Sequence, residues 1–112
     1  MNGYAIAHLY DRSDHDDVLD YLERIDATLA PFEGHFLAHA PQVEVLEGEW
    51  PGTVVILEFP SLTAARSWYD SPAYQKIKHL RTDHIDGAAI LFEGVAADHD
   101  SAKLAAAIRA AA

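Results

Sequence analysis

Residues 53–81 read TVVILEFPSLTAARSWYDSPAYQKIKHLR, and this stretch decides the fold. Thr53 to Phe59 is rich in branched and apolar residues, which predicts a strand. Pro60 ends it, and Ser61 is placed to cap a helix whose Leu62, Ala65 and Trp68 or Tyr69 recur on one inward face. Ser71-Pro72 repeats that signal, a capping hydroxyl followed by a proline at the first helical position. The helix is therefore expected to stop and restart, with Tyr74, Ile77 and Leu80 or Arg81 on the new segment.

Working outward, Gly3 to Tyr10 (GYAIAHLY) reads as a first strand. In RSDHDD, Ser13 or Asp14 is the expected cap of a helix, with Asp16 and Asp17 favourable beside its positive end. Val18, Leu22, Ile25 and Leu29 then give that helix one apolar face, and Pro31 and Gly34 end it. The acidic DHDD also has the look of a metal loop, but helix-start chemistry explains it more simply. His35 to Ala40 reads as a strand that Pro41 breaks, with Val43 to Leu46 continuing it or starting a short hairpin arm. Ala88 to Val95 is the last strand, and Asp98 to Ala112 an Ala-rich helix with Leu104 and Ile108 on one side. The order β-α-β-β-α-β plus a helix predicts an α+β, ferredoxin-like domain over residues 1–97 with an appended helix over 98–112.

Composition narrows the partners. The chain has 112 residues, with 8 Lys and Arg against 18 Asp and Glu, a net charge of −10. Such a surface repels nucleic-acid phosphates and anionic headgroups, so neither nucleic acid nor membrane is an expected partner. A small molecule held by a local basic group remains compatible with it. There is no cysteine, which excludes disulfides, thiolate catalysis and iron–sulfur ligation and makes the cytoplasm the expected compartment. MNGYAIAHLYD has neither the basic start nor the apolar length of a signal or membrane segment. No GxSxG elbow or phosphate-binding glycine loop occurs.

Two helices cover one face of a four-stranded sheet, yet TVVILEF and AAILF are apolar at consecutive positions and hence on both faces. The simplest cover for the second face is the same face of a second copy, which predicts a homodimer. The rival cover, the C-terminal helix, offers only Leu104 and Ile108 as large apolar residues.

The run VEVLEGEW…VVILEFPSLTAARSWYDSPAYQKIKHLR resembles the family called domain of unknown function 1330, as do the opening GYAIAHLYD and the closing ILFEG. The likeness spans roughly residues 3–95 and is most specific from Glu58 to Arg81. It implies the dimeric α+β-barrel superfamily, in which two ferredoxin-like sheets pack face to face. That superfamily includes cofactor-independent monooxygenases, lactone isomerases, polyketide cyclases and haem-using enzymes; the family itself implies no reaction. FLAHAPQ stands where the family pattern is closer to FLARGG, so His39 replaces an Arg and Pro41 a Gly. His8 likewise stands where Arg is common.

In this topology the first and third strands are central neighbours, and His8 and Glu58 interrupt them. Together they predict a His–carboxylate unit with His8 as general base, or else a structural pair. His35 and His39, four apart on a strand, are expected to share a face, with His39 the better pocket residue. With His8 they could hold a divalent metal or haem, although no ligand spacing singles such a site out. His15, His79, His84 and His99 read as surface residues. Arg81 either interacts with its helix's negative end or clamps a substrate carboxylate or enolate. Trp68 and Tyr69 either fill the core or wall a pocket, and Tyr74 could aim its hydroxyl into a cavity beside Ser71.

The expected protein is therefore a homodimeric small-molecule enzyme with no metal and no tightly bound cofactor, acting on an aromatic or polyketide-like substrate by acid/base, oxygenase, cyclase or isomerase-type chemistry. Its candidate catalytic residues are His8, His39 and Glu58; its candidate substrate-binding residues are Trp68, Tyr69, Ser71, Tyr74 and Arg81. The alternatives are a non-catalytic ligand-binding or interaction module and a His-ligated metal or haem enzyme.

Overall fold

The computed structural model describes residues 1–112. The elements run β1 (Gly3–Leu9), α1 (Asp16–Leu29), a single 3-10 turn (Ala30–Phe32), β2 (His35–His39), β3 (Thr53–Phe59), α2 (Leu62–Asp70), α3 (Pro72–Thr82), β4 (Gly87–Glu93) and α4 (Ser101–Ala111). The four strands form one sheet in the order β2-β3-β1-β4, antiparallel throughout. This is the ferredoxin-like fold.

Strand alternation splits the sheet into two faces. Ala5, Ala7 and Leu9 of β1 lie level with Leu57, Val55 and Thr53 of β3 and with Leu91, Ala89 and Gly87 of β4. Helices α1, α2 and α3 pack on this face. Their core joins Tyr21, Ile25 and Leu29 to Leu57, Phe59, Ala65, Trp68, Tyr74 and Ile77. Gly3 allows the close approach of α2, since a Cβ there would overlap the Ser61 carbonyl. The other face carries Tyr4, Ile6 and His8 beside Glu58, Ile56 and Val54 and beside Phe92, Ile90 and Ala88. No helix covers it. α4 buries none of its residues and leaves Leu104 and Ile108 exposed.

The stop and restart between α2 and α3 is built as the sequence suggests. Ser61 Oγ accepts from the Ala64 N–H at 3.0 Å. Ser71 Oγ accepts from the Tyr74 N–H at 3.3 Å while its hydroxyl donates to the Trp68 carbonyl at 2.7 Å, so one side chain closes α2 and opens α3.

Four local expectations need correction. The cap of α1 is His15, not Ser13 or Asp14: His15 Nδ1 accepts from the Asp17 N–H at 3.0 Å, and Ser13 Oγ accepts from the His15 N–H. The buried stripe of α1 runs through Val18, Tyr21, Ile25, Thr28 and Leu29, leaving Leu22 exposed. Tyr21 can be buried because its hydroxyl finds a partner. Val43–Leu46 forms no strand: Ala40 turns the chain through a left-handed φ of 51° before Pro41, and Leu46 is 85% exposed. Finally, β2 is irregular at Leu37, so His35 lies opposite Glu58 and His39 opposite Val55. The inserted residue flips the parity, and the two histidines face opposite sides of the sheet instead of sharing one.

Candidate functional site

Between the sheet and the helices lies a cavity of about 220 Å³. Its origin is a size mismatch. Ala5, Ala7 and Ala89 form much of the floor, and α2 and α3 meet them with Trp68, Tyr69, Tyr74 and Arg81. Rigid rings held apart by helix packing cannot collapse onto methyl groups, so a space remains. The lining is mostly apolar, with Arg66 and Arg81 as its charged members.

Trp68 is fixed on all sides. Its Nε1 donates to Thr28 Oγ1 at 3.0 Å, and Thr28 in turn donates to the Ile25 carbonyl at 2.6 Å. Its ring packs at 4.2 Å from Tyr74 and 5.5 Å from Phe59, centroid to centroid. Trp68 is thus core and cavity wall at once. Tyr69 stands 5.6 Å from Tyr74, with the Lys78 ammonium 5.3 Å over its ring. Ser71 is buried and spends both hydrogen-bonding functions on the helix junction, so it does not line the cavity.

At the polar end of the cavity, Tyr74 and Arg81 of the lining join Tyr21, which stands behind them in the core. Tyr21 and Tyr74 hydroxyls are 2.9 Å apart, and Arg81 Nη2 donates to the Tyr74 oxygen at 3.4 Å. The Arg81 guanidinium also lies over the Tyr21 ring, 5.6 Å from its centroid. Burial pushes the Tyr21 pKa up, and the adjoining Tyr74 adds to this, so Tyr21 is a neutral phenol across the physiological range. Burial works against the Arg81 charge, but Tyr74 and Tyr21 outweigh it, so its pKa lies above the ordinary value and the guanidinium stays charged. None of the ion pairs of the molecule includes Arg81, whereas Arg66 is paired with Asp70. Arg81 is thus a cation at the cavity wall whose hydrogen-bond partner is a neutral phenol and not a carboxylate.

Tyr21 is a member of this hydrogen-bonded group that the sequence alone does not single out. The available signal was its position three after Val18 and four before Ile25, on the buried stripe of α1. A tyrosine there needs a hydroxyl partner from a neighbouring element, and α3 packs on α1.

The histidine candidates lie elsewhere. The expected His8–Glu58 unit does not form, because antiparallel pairing sets His8 opposite Val54 and Glu58 opposite Tyr4. Four residues of strand separate the two levels, about 13 Å. Glu58 instead meets His35, with Nε2 and Oε1 3.2 Å apart. His8 stacks on Trp50 at 4.1 Å, meets Tyr10 edge-on, and has Nε2 2.6 Å from the Pro51 carbonyl. His39 stacks on Phe36 at 4.2 Å and borders a shallow depression with Val18 and Leu22. His8, His35 and His39 therefore do not converge on one point, and none of His8, His39 and Glu58 lines the aromatic cavity. His15 and His84, expected as plain surface residues, meet each other and Asp17.

A four-stranded antiparallel sheet with its cavity beneath paired helices places the chain among ferredoxin-like α+β domains. Residues 2–95 match the model of the family described as "Domain of unknown function (DUF1330)", and the chain belongs to that family. No curated protein matches it. Among solved structures, it is similar to a protein of unknown function from Rhodopseudomonas palustris, with 16% identity, 85% of this chain and 83% of that chain covered, and a TM-score of 0.63. A mutant of SnoaB, a cofactor-independent oxygenase from Streptomyces nogalater, is similar at 13% identity over 88% of this chain and 98% of that one, with a TM-score of 0.58. A dimeric ferredoxin-like protein of unknown function from Jannaschia follows at 13% identity, 80% and 98% coverage, and a TM-score of 0.55. At these identities the likeness is one of fold. No helix is long and apolar enough to cross a membrane.

Proposed function

We propose that the chain is a homodimeric small-molecule enzyme that binds an aromatic anion in the cavity beneath α2 and α3 and works without a tightly bound cofactor. The observation that carries this is Arg81, a charged guanidinium with no carboxylate partner at the edge of an apolar, aromatic-walled space. A cavity of about 150 Å³ is enough for benzene. The 220 Å³ here therefore suits one ring with a small acidic substituent better than a fused polycyclic skeleton. Arg81 would hold the substrate carboxylate or enolate. With Arg81 and the Tyr21 hydroxyl both donating to the Tyr74 oxygen, the Tyr74 O–H would be left to donate to a substrate oxygen.

The fold likeness to a cofactor-independent oxygenase supports chemistry in which the substrate anion itself is the reactive species. Stabilising that anion is the task Arg81 and Tyr74 are placed to perform. A second reading, a non-catalytic ligand-binding module, is favoured by one observation: neither histidine candidate nor Glu58 reaches the cavity to act as a base. The homodimer is supported by the uncovered face, where Ile90 is 59% exposed and Phe92 and Tyr4 stack at 5.5 Å in the open. The dimeric ferredoxin-like protein from Jannaschia, similar in fold, supports it too.

Titration calorimetry with single-ring aromatic carboxylates, their uncharged alcohol analogues and the Arg81→Gln variant tests the site. Carboxylates bind and alcohols do not, and Arg81→Gln weakens binding by roughly tenfold to a hundredfold, the loss of one charge-assisted hydrogen bond. Equal affinity in wild type and Arg81→Gln sinks the anion site. A bound carboxylate recovered chemically unchanged, with no oxygen consumed, selects the binding module over the enzyme.

A further inference from the structure

We propose that His15, Asp17 and His84 form a binding site for a divalent transition-metal ion of the zinc type, tying the start of α1 to the turn after α3. His84 Nε2 lies 3.0 Å from Asp17 Oδ2, and His15 Nδ1 lies 3.8 Å from the same oxygen. One ligand atom from each residue falls within 4.8 Å of the other two. Around a tetrahedral zinc, with bonds of about 2.0–2.1 Å, ligand atoms sit roughly 3.4 Å apart. The ligand atoms need only a small approach, but the stacked rings also have to swing out of parallel so that both nitrogen lone pairs point at one ion. All three side chains have the surface freedom to do so, being 51%, 45% and 24% exposed. Two imidazoles and one carboxylate form a borderline-soft donor set, which selects zinc, cobalt or nickel over magnesium or calcium. Three protein ligands leave a fourth position for water.

The placement is not that of random surface histidines. The His15 and His84 rings stack 3.8 Å apart, 18° from parallel, although 69 positions separate the two residues. Neither is drawn there by an apolar core, and what the pair shares is Asp17. The oxygen-only loop that DHDD suggests is not what forms; the chain takes His15 and Asp17 from that stretch and adds a distant histidine. Metal binding through His15 uses the lone pair that caps the Asp17 N–H, so the ion replaces that bond in holding the first turn of α1.

The site also has a mechanical consequence. Asp17 is one helical turn before Tyr21, and His84 is three residues after Arg81. The ion would pin the same α1–α3 seam at which Tyr21 meets Tyr74 and Arg81. The proposal does not depend on what the cavity binds.

The test uses the full chain, stripped with a chelator and titrated with zinc chloride, cobalt chloride and, as control, magnesium chloride. One zinc per chain is expected, with Tm raised by about 5 °C at a tenfold excess over Kd and no rise with magnesium. Bound cobalt should show visible d–d absorption of a nitrogen-ligated site. His84→Ala and Asp17→Asn each weaken zinc binding by at least about tenfold, while His99→Ala, at an exposed histidine outside the cluster, does not. Circular dichroism verifies that the variants are folded; should Asp17→Asn unfold, His84→Ala and His15→Gln decide. Absence of saturable zinc binding overturns the proposal, as does equal affinity in wild type and His84→Ala, which marks adventitious binding elsewhere.

Discussion

Along β1 the odd positions are Gly3, Ala5, Ala7 and Leu9, and the even ones are Tyr4, Ile6 and His8. The same division holds on β4, where Ala89 faces the helices and Ile90 and Phe92 face away. At the middle of β1 and β4 the side chains under the helices are thus smaller than those on the face that no helix covers, whereas β3 sends Leu57 and Phe59 into the core. A sheet that only needed to seal one core against water would be expected to show the reverse. Where Ala5, Ala7 and Ala89 form the floor, α2 and α3 bring large rings to meet them, and the mismatch leaves a cavity. The open face presents Ile6, Ile90 and Phe92, the kind of surface that the proposed two-fold contact would bury.

Two substitutions break this comparison from its two sides. On the helix face, Trp68→Ala removes a ring that is only 3% exposed and orphans the Thr28 hydroxyl as acceptor. Urea unfolding should show a loss of about 3–5 kcal/mol. A loss below about 1 kcal/mol would mean that Trp68 lines the cavity without supporting the core. On the open face, Ile90→Lys places a charge where the proposed two-fold contact buries an apolar side chain. Ile90 is already 59% exposed in the single chain, so folding of the subunit should barely change. Dimerisation should weaken by about 3 kcal/mol, more than a hundredfold, by sedimentation equilibrium. A monomeric wild type, or a variant that dimerises equally well, removes the open face as the interface.

The sequence made the backbone scaffold legible because its signals are local. Ser61, Ser71 and Pro72 act on groups within four residues of themselves, and the strands announce themselves by composition. One wall of the cavity was legible for the same reason: Trp68, Tyr69, Tyr74 and Arg81 fall on two adjoining helices whose start points are marked. What escaped depends on register. His8 and Glu58 look like neighbours from strand order alone, but antiparallel pairing sends them to opposite ends of the sheet. One extra residue at Leu37 separated His35 from His39, and no composition signal marks it. Tyr21 and the meeting of His15 with His84 depend on how α1 packs on α3, a long-range fact that only the folded chain supplies.

Tyr21 gives the finest test of the helix face, because its hydroxyl belongs to the core while its partner Tyr74 belongs to the cavity. Burial, reinforced by Tyr74, raises its pKa above the ordinary value of 10.0. For an acid whose folded pKa is raised, the contribution to stability is complete below about pH 10 and is lost as pH climbs further, since the unfolded chain then releases the proton more readily. Tyr21→Phe deletes the 2.9 Å hydrogen bond and should cost about 1 kcal/mol at neutral pH. Above about pH 10 wild type loses stability through Tyr21 and the variant does not, so the gap between their urea midpoints should narrow. A gap that stays constant with pH would show that Tyr21 titrates like an exposed phenol. Affinity for an aromatic carboxylate should change little in Tyr21→Phe, in contrast to Arg81→Gln. Arg81 still donates to Tyr74 when Tyr21 has lost its hydroxyl, and Tyr21 itself does not line the cavity.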